Sequence, residues 1–86
     1  MRVTVQLFAR LKELAGHADV ECDVPAGATI QDVWQTVAAR HPALAAYGSS
    51  VSCARNEDFA RMSAPVREGD AIAFLPPVSG GAPGRS

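Results

Sequence analysis

The sequence predicts an α+β domain in which one sheet packs on one main helix. Several short segments alternate apolar and polar residues, which is the pattern of half-buried strands. One longer segment instead spaces its apolar residues along a single face of a helix. The order along the chain is strand, short helix, strand, long helix and then two or three strands, with no internal repeat or domain boundary.

The first part of the chain contains two predicted strands and a short helix. Residues 1–9 form the first strand, and residues 19–24 form the second. Between them, residues 10–15 are good helix formers, and Gly16 is suited to end that helix as a C-cap. The residues of the first strand that face the core are Val3, Val5 and Leu7.

Two features of these strands have two possible explanations each. Phe8 falls on the polar face of the first strand, so either a neighbouring loop covers it or it contacts a partner. The outer face of the second strand carries Asp19, Glu21 and Asp23, which form either an ordinary solvated face or an electrostatic docking surface.

The main helix is predicted to begin after Thr29 and to end at His41, before Pro42. Thr29 and Asp32 approximate a capping box, and Asp32 also complements the positive end of the helix. The spacing i, i+3, i+4, i+7, i+8 defines one apolar stripe, which comprises Ile30, Val33, Trp34, Val37 and Ala38. Trp34 is therefore interpreted as a core residue.

The remaining strands follow a connector, residues 42–50, which contains one helical turn at residues 43–46. Strands are predicted at residues 51–56, 59–62 and 71–75, separated by turns at 56–58 and 67–70. The residues expected to face inward are Val51, Cys53, Ile72 and Phe74, which leaves Leu75 on the outer face.

Composition excludes several classes of function. A net charge of −1 argues against a nucleic-acid-binding protein, and no apolar run approaches the ~20 residues that span a bilayer. The N-terminus has no signal-peptide pattern, so the cytoplasm is the expected compartment. Cys22 and Cys53 are expected to be reduced core thiols, and His17 and His41 surface side chains, so no metal site is predicted.

The last strand leads into a distinctive segment, Pro76-Pro77-Val78-Ser79-Gly80-Gly81. Two prolines cannot donate ladder hydrogen bonds and therefore stop the sheet. Two glycines without a Cβ can then enter a channel that is too narrow for other residues. This pattern indicates a domain that delivers its tail into another protein.

With this order of elements, the chain resembles the sulfur-carrier subunit of molybdopterin synthase, the MoaD type of ubiquitin-like β-grasp protein. The resemblance covers nearly the whole chain. It depends on Val5 to Gly16, on Asn56 in its turn, on Gly69-Asp70, and on Ala73 to Gly81. It implies a mixed sheet of four to five strands on one main helix, with residues 1–81 as the carrier domain.

The resemblance implies that the tail carries the chemistry. An E1-like enzyme adenylates the terminal carboxylate of Gly81 with ATP, and a sulfur donor then displaces AMP to leave a thiocarboxylate. In the large synthase subunit, within a heterotetramer, this sulfur converts precursor Z (cyclic pyranopterin monophosphate) to molybdopterin. The carrier itself holds no permanent cofactor and no metal, and it acts as a subunit without an active site of its own.

The resemblance also assigns residues that contact partners. Gly80 is the slim residue that allows the tail to enter the partner, and Val78 and Ser79 belong to the same tail. Pro76 and Pro77 form its rigid start. An exposed apolar patch at Phe8, Phe59 and Leu75 grips both the activating enzyme and the large subunit, which favours partner contact over loop cover at Phe8.

One departure from the family pattern concerns the residues after Gly81. Ala82–Ser86 follow it and are expected to be a disordered extension, so the carboxyl group of Gly81 is held in a peptide bond. A peptidase removes the extension, or it is an artefact, or the protein no longer carries sulfur. Two other functions also remain open: a sulfur carrier for thiazole or cysteine synthesis, and a β-grasp interaction module that is never activated.

Overall fold

The computed structural model describes residues 1–48 and 50–77. The predicted α+β class and order of elements are confirmed, with boundaries that differ by one or two residues. The elements are β1 (Arg2–Leu7), α1 (Ala9–Ala15), β2 (Asp19–Asp23), α2 (Ile30–Arg40), a 3₁₀ helix (Pro42–Tyr47), β3 (Ser52–Arg55), β4 (Asp58–Ala60) and β5 (Ala71–Leu75). The expected single turn after Pro42 is thus a six-residue 3₁₀ helix.

The strands form one mixed five-stranded sheet with the order β2-β1-β5-β3-β4. β1 and β5 are parallel, with Val5 opposite Ile72, whereas the other neighbouring strands are antiparallel. The last strand of the chain therefore occupies the centre of the sheet, between the first strand and the third. The chain after Leu75 therefore leaves the sheet from its central strand.

The inner face of the sheet packs on α2 and forms the core. The capping box between Thr29 and Asp32 is present, and the apolar stripe of α2 is buried, with Ile30, Val33 and Val37 fully inaccessible to solvent. The Trp34 ring meets the Phe74 ring edge-on, with 4.9 Å between centroids. Trp34 is only 3% exposed, which confirms its interpretation as a core residue.

Three buried side chains come from positions that showed no periodic pattern. Leu11 of α1 and Leu44 of the 3₁₀ helix are fully buried, and Val66 is nearly so. Because they lie in short or irregular segments, no spacing rule identifies which of their neighbours faces inward. They belong to the same core cluster as the buried side chains of α2 and of the inner face of the sheet.

Both cysteines are buried and free, as expected from the sequence. Burial raises the pKa of the Cys22 thiol and of the Cys53 thiol, so both are held as neutral thiols at neutral pH. In the part of the chain that the structure describes, no helix has the length and apolar character needed to cross a membrane.

Candidate functional site

The outer face of the sheet contains a trough of about 520 Å³. Its walls include the three apolar side chains that the family resemblance assigned to partner contact, Phe8, Phe59 and Leu75. The structure therefore brings together residues that are far apart in the chain. The remaining lining residues are Gln6, Ala54, Asn56, Glu57, Ala71 and Ala73.

The strand register explains why this face is concave. Across the sheet, Gln6 lies opposite Ala73, Ala73 opposite Ala54, and Ala54 opposite Phe59. Since alternate residues of a strand point to the same face, alanines occupy the centre of this row. Small side chains form the floor of the trough, and large ones rise at its sides.

Two of the three wall residues are exposed to an unusual degree for apolar side chains, whereas Leu75 is half-buried. Phe59 is 79% exposed and Phe8 is 45% exposed, and they are the only exposed large hydrophobic residues in the described parts of the chain. An exposure of 45% does not agree with loop cover of Phe8. Exposed apolar groups clustered around one concave surface are typical of interaction sites.

Non-glycine residues with a positive φ angle lie at both ends of the trough. Among the described residues, positive φ angles outside glycine occur at Ala9 (+52°), Asn56 (+51°) and Glu57 (+76°). Ala9 follows Phe8 directly, whereas Asn56 and Glu57 form the two-residue turn between β3 and β4. A two-residue hairpin turn requires a positive φ at both central residues, so the conformation that a side chain disfavours is the one at Ala9.

The turn at Asn56 is fixed to the start of β5 by three hydrogen bonds. The Asn56 amide Nδ2 donates to Oδ1 of Asp70 at 3.1 Å, and the Ala71 N–H donates to Oδ1 of Asn56 at 3.0 Å. The Asn56 N–H also donates to the Ala71 carbonyl at 2.8 Å. These bonds hold one end of the trough in place.

Asp70 completes this arrangement as an acceptor. Its Oδ2 accepts from the Arg67 N–H at 2.8 Å. Partial desolvation raises the pKa of Asp70, but the hydrogen bonds from Asn56 and from the Arg67 N–H, with nearby arginine charges, outweigh it and hold the pKa below its ordinary value of 3.8. The carboxylate is therefore charged at neutral pH and stabilises the turn.

The end of β5 lies at the opposite end of the trough from this turn. Leu75 lines the trough, Pro76 is half-buried and Pro77 is exposed. The predicted tail residues Val78, Ser79, Gly80 and Gly81 lie outside the described residues, as does the extension 82–86. Their assigned roles remain predictions.

The acidic outer face of β2 is partly neutralised. Arg2 of β1 forms ion pairs with Glu21 at 3.4 Å and with Asp23 at 3.3 Å. Asp19 instead lines a second, smaller cavity of about 270 Å³, which also includes Phe8 and Lys12. Phe8 and Gln6 line both the trough and this second cavity.

The two histidines lie near each other, which no sequence pattern indicated. The ring centroids of His17 and His41 are 6.2 Å apart, because the loop after α1 and the end of α2 meet. Within residues 1–48 and 50–77, no group of three or more potential ligands is placed to hold a metal ion.

Comparison with known proteins identifies the family. The model of the ThiS family matches residues 5–81 of the chain. The chain belongs to the ThiS family. This family member has the ubiquitin-like β-grasp fold of the sulfur carriers, as the resemblance implied. The match ends at Gly81, so residues 82–86 lie beyond the family pattern.

Proteins of different names are similar to this chain in sequence or in structure. It is 37% identical to the molybdopterin synthase sulfur carrier subunit of Arabidopsis thaliana, over 94% of this chain and 84% of that protein. The crystal structure of the small archaeal modifier protein 1 of Haloferax volcanii superimposes with a TM-score of 0.85 at 34% identity, covering 94% of this chain and 100% of that one. A chain from the Amycolatopsis orientalis BexX/CysO complex has a TM-score of 0.73 at 26% identity, over 92% and 99%.

Six residues of the trough were not identified from the sequence as site residues: Gln6, Ala54, Asn56, Glu57, Ala71 and Ala73. Ala54, Ala71 and Ala73 carry no chemical signal by themselves, and Glu57 appeared only as part of a turn. Strand pairing is needed to show that the alanines lie side by side. The alternation of β5 did indicate that its odd-numbered residues face outward.

Proposed function

We propose that this protein is the sulfur carrier of molybdenum cofactor biosynthesis. It holds sulfur as a thiocarboxylate on Gly81 and donates it within the large subunit of molybdopterin synthase, where precursor Z becomes molybdopterin. The cytoplasm is the proposed compartment. The principal support is the position of the Phe8–Phe59–Leu75 trough beside the strand that leads into Pro76-Pro77 and Gly80-Gly81.

The proposed chemistry requires activation because a carboxylate is a poor electrophile. The Gly81 carboxylate attacks the α-phosphate of ATP in an E1-like enzyme, which releases pyrophosphate and forms an acyl-adenylate. A sulfur donor then supplies sulfur at the sulfide level, as hydrosulfide, which attacks the acyl carbon. The bond from that carbon to the phosphate oxygen breaks, AMP leaves, and loss of the proton from sulfur gives the thiocarboxylate. The domain supplies binding and position in these steps, while the activating enzyme supplies the catalytic groups.

This proposal requires a chain that ends at Gly81. In the 86-residue sequence, Gly81 is joined to Ala82 by a peptide bond and has no free carboxylate. Hydrolysis of this bond adds water and releases the following residues. The active carrier is therefore the 1–81 form, in agreement with the last residue of the family match.

The test is the intact mass of the 1–81 chain after incubation with the activating enzyme, ATP and a sulfur donor. A mass gain equal to the replacement of one oxygen by sulfur supports the proposal. The chain that retains residues 82–86 is the control and should stay unchanged. If the 1–81 form acquires no sulfur under conditions in which a known carrier does, the proposed function is wrong.

The recipient of the sulfur is tested separately. The molybdopterin synthase subunit names of several relatives favour the large synthase subunit. Co-purification of the 1–81 chain with that subunit supports this recipient. A sulfurated chain that donates only to a thiazole-forming or cysteine-forming enzyme would keep the carrier chemistry and replace the pathway.

A further inference from the structure

A polar cavity of about 410 Å³ lies at the turn end of the sheet, where the β3–β4 turn meets the start of β5. We name it the arginine cavity, and it is lined by Arg55, Asn56, Ala64, Pro65, Arg67 and Asp70. It shares Asn56 with the trough and no other lining residue. We propose that the arginine cavity binds a small phosphate monoester. This goes beyond the proposed function, which uses the opposite end of β5.

The arginine cavity holds more positive than negative charge. Its lining includes two arginines, Arg55 and Arg67, and one carboxylate, Asp70. Each Asp70 oxygen already accepts a hydrogen bond, Oδ1 from the Asn56 side chain and Oδ2 from the Arg67 N–H. Neither guanidinium group forms an ion pair with a carboxylate of residues 1–48 or 50–77. An anion that enters the cavity therefore supplies negative charge that these residues lack.

The pKa of Asp70 agrees with this placement of charge. Desolvation raises this pKa, the hydrogen bonds from Asn56 and from the Arg67 N–H lower it, and the charges of Arg55 and Arg67 lower it further. Both guanidinium groups thus act on the same carboxylate. Because Asp70 also repels an incoming anion, binding needs the charge of both arginines.

Both arginines are carried by fixed backbone. Nη1 of Arg55 donates to the Pro65 carbonyl at 2.6 Å, which holds this guanidinium group at the cavity wall and leaves further N–H donors for a ligand. Pro65 itself forms a β-bridge with Thr29, directly before α2. The turn that carries Arg67 is closed by the Asp70 N–H, which donates to the Arg67 carbonyl at 3.1 Å. Donors that are already positioned lose less conformational entropy when a ligand binds.

Two guanidinium groups favour a phosphate over a carboxylate. A carboxylate has two oxygens, and one guanidinium group can occupy both of them in a bidentate pair. A phosphate monoester presents three oxygens and carries up to two negative charges, so it accepts hydrogen bonds from two guanidinium groups at once. Arg55 and Arg67 are therefore assigned to the phosphate group.

The size of the arginine cavity favours an ester over free phosphate. Its volume of about 410 Å³ lies within the ~300–1,000 Å³ that is typical of small-molecule sites and exceeds what a phosphate group alone fills. Ala64 and Pro65 supply an apolar wall next to the arginines. A small organic group attached to the phosphate can pack on this wall and remove apolar surface from water.

The first experiment titrates phenyl phosphate into the ¹⁵N-labelled full chain at constant ionic strength. Amide shifts should concentrate at Arg55, Asn56, Arg67 and Asp70. Benzoate has the same ring but a carboxylate, and it should bind about tenfold more weakly or worse. Inorganic phosphate should shift the same amides with a weaker Kd than phenyl phosphate. Equal binding of benzoate, or shifts that avoid the arginine cavity, would overturn the proposal.

The second experiment compares arginine variants. Arg67→Gln removes one charge, leaves the bond from Arg55 to Pro65 in place, and should weaken the Kd for phenyl phosphate by about tenfold or more. Arg55→Gln should do the same, and Arg55→Lys should also weaken binding because lysine keeps the charge but lacks the planar fork. Arg61→Gln is the matched control, since Arg61 is exposed and does not line the arginine cavity.

The control separates a site from general attraction between charges. Thermal melts check that each variant is folded, and the Kd of Arg61→Gln should equal that of the unchanged chain. If Arg67→Gln and Arg61→Gln have the same Kd, the arginine cavity is not the binding site and the proposal is wrong.

The result is independent of the sulfur chemistry. Phenyl phosphate should raise the Tm of the 86-residue chain and of the 1–81 chain alike, because a ligand that binds the folded state stabilises it. Arg67→Gln should lose this rise but still acquire sulfur at Gly81. A chain that acquires sulfur but binds no phenyl phosphate would overturn this inference alone, and the reverse result would overturn the proposed function alone.

Discussion

The two faces of the sheet come from the same strands but differ in side-chain size and exposure. On the inner face, Val5, Ile72 and Phe74 are fully buried against α2. On the outer face, the residues next to them in the chain are small or polar at the centre, such as Ala73, and large only at the sides. One face packs against α2, and the other contains the trough.

We expect this difference to separate folding, which depends on the inner face, from partner binding, which we propose for the outer face. Burial of the large inner side chains supplies most of the stabilisation that so small a domain obtains. The outer face can therefore change its side chains with little effect on stability. Variants of the two faces test this separation, from the largest expected effect to the smallest.

Phe74→Ala should produce the largest loss of stability. It removes a fully buried ring that contacts Trp34, so the free energy of unfolding should fall by about 3–5 kcal/mol. Urea titration monitored by Trp34 fluorescence measures the change. A loss below about 1 kcal/mol would contradict the assignment of the inner face as the main core.

Phe59→Ala should affect binding and not folding. Because the ring is 79% exposed, the free energy of unfolding should change by less than about 0.5 kcal/mol. Binding to the large synthase subunit should weaken by about 2 kcal/mol, as for an aromatic anchor at an interface. Equal losses in both measurements would remove the distinction between the two faces.

Asp70→Asn should destabilise the protein by about 1 kcal/mol at neutral pH, because it removes the charged acceptor from the turn at the end of the trough. The pKa of Asp70 is lowered on folding, so its contribution is present above pH 3.8 and is lost as the pH falls through the folded-state pKa. Urea titrations at several pH values should show the two proteins converging in acid. A constant difference would contradict this role.

The backbone strain beside Phe8 gives the smallest expected effect. Ala9→Gly should raise the free energy of unfolding by about 0.5–1 kcal/mol, since glycine adopts a positive φ without a Cβ clash. Gly16→Ala, at φ +80° on the other end of α1, should lower it by about 1 kcal/mol. Thermal melts of both variants measure these changes in stability. A loss of stability in Ala9→Gly would argue against strain at this position.

The sequence predicted the fold well where spacing is regular. Helix α2 was identified from its capping box and stripe, and the strands from alternation, because each element has one buried side. Leu44 and Val66 were not identified as core residues, because irregular segments have no period to read.

The site was predicted in part. Phe8 and Leu75 stood out because they are large apolar residues on the outer side of predicted strands, and Phe59 was added by the family resemblance. The floor of the trough could not be found in this way. Ala54 and Ala73 become neighbours only through the pairing of β3 with β5, which is a long-range property of the fold.

The central position of β5 also determines how the domain responds to mechanical load. A pull on the chain beyond Pro77 acts along β5, whose ladder bonds to β1 and β3 run across the direction of the force. These bonds share the tension together instead of opening one after another. We therefore expect β5 to shear against both of its neighbours at once when the chain is pulled beyond Pro77.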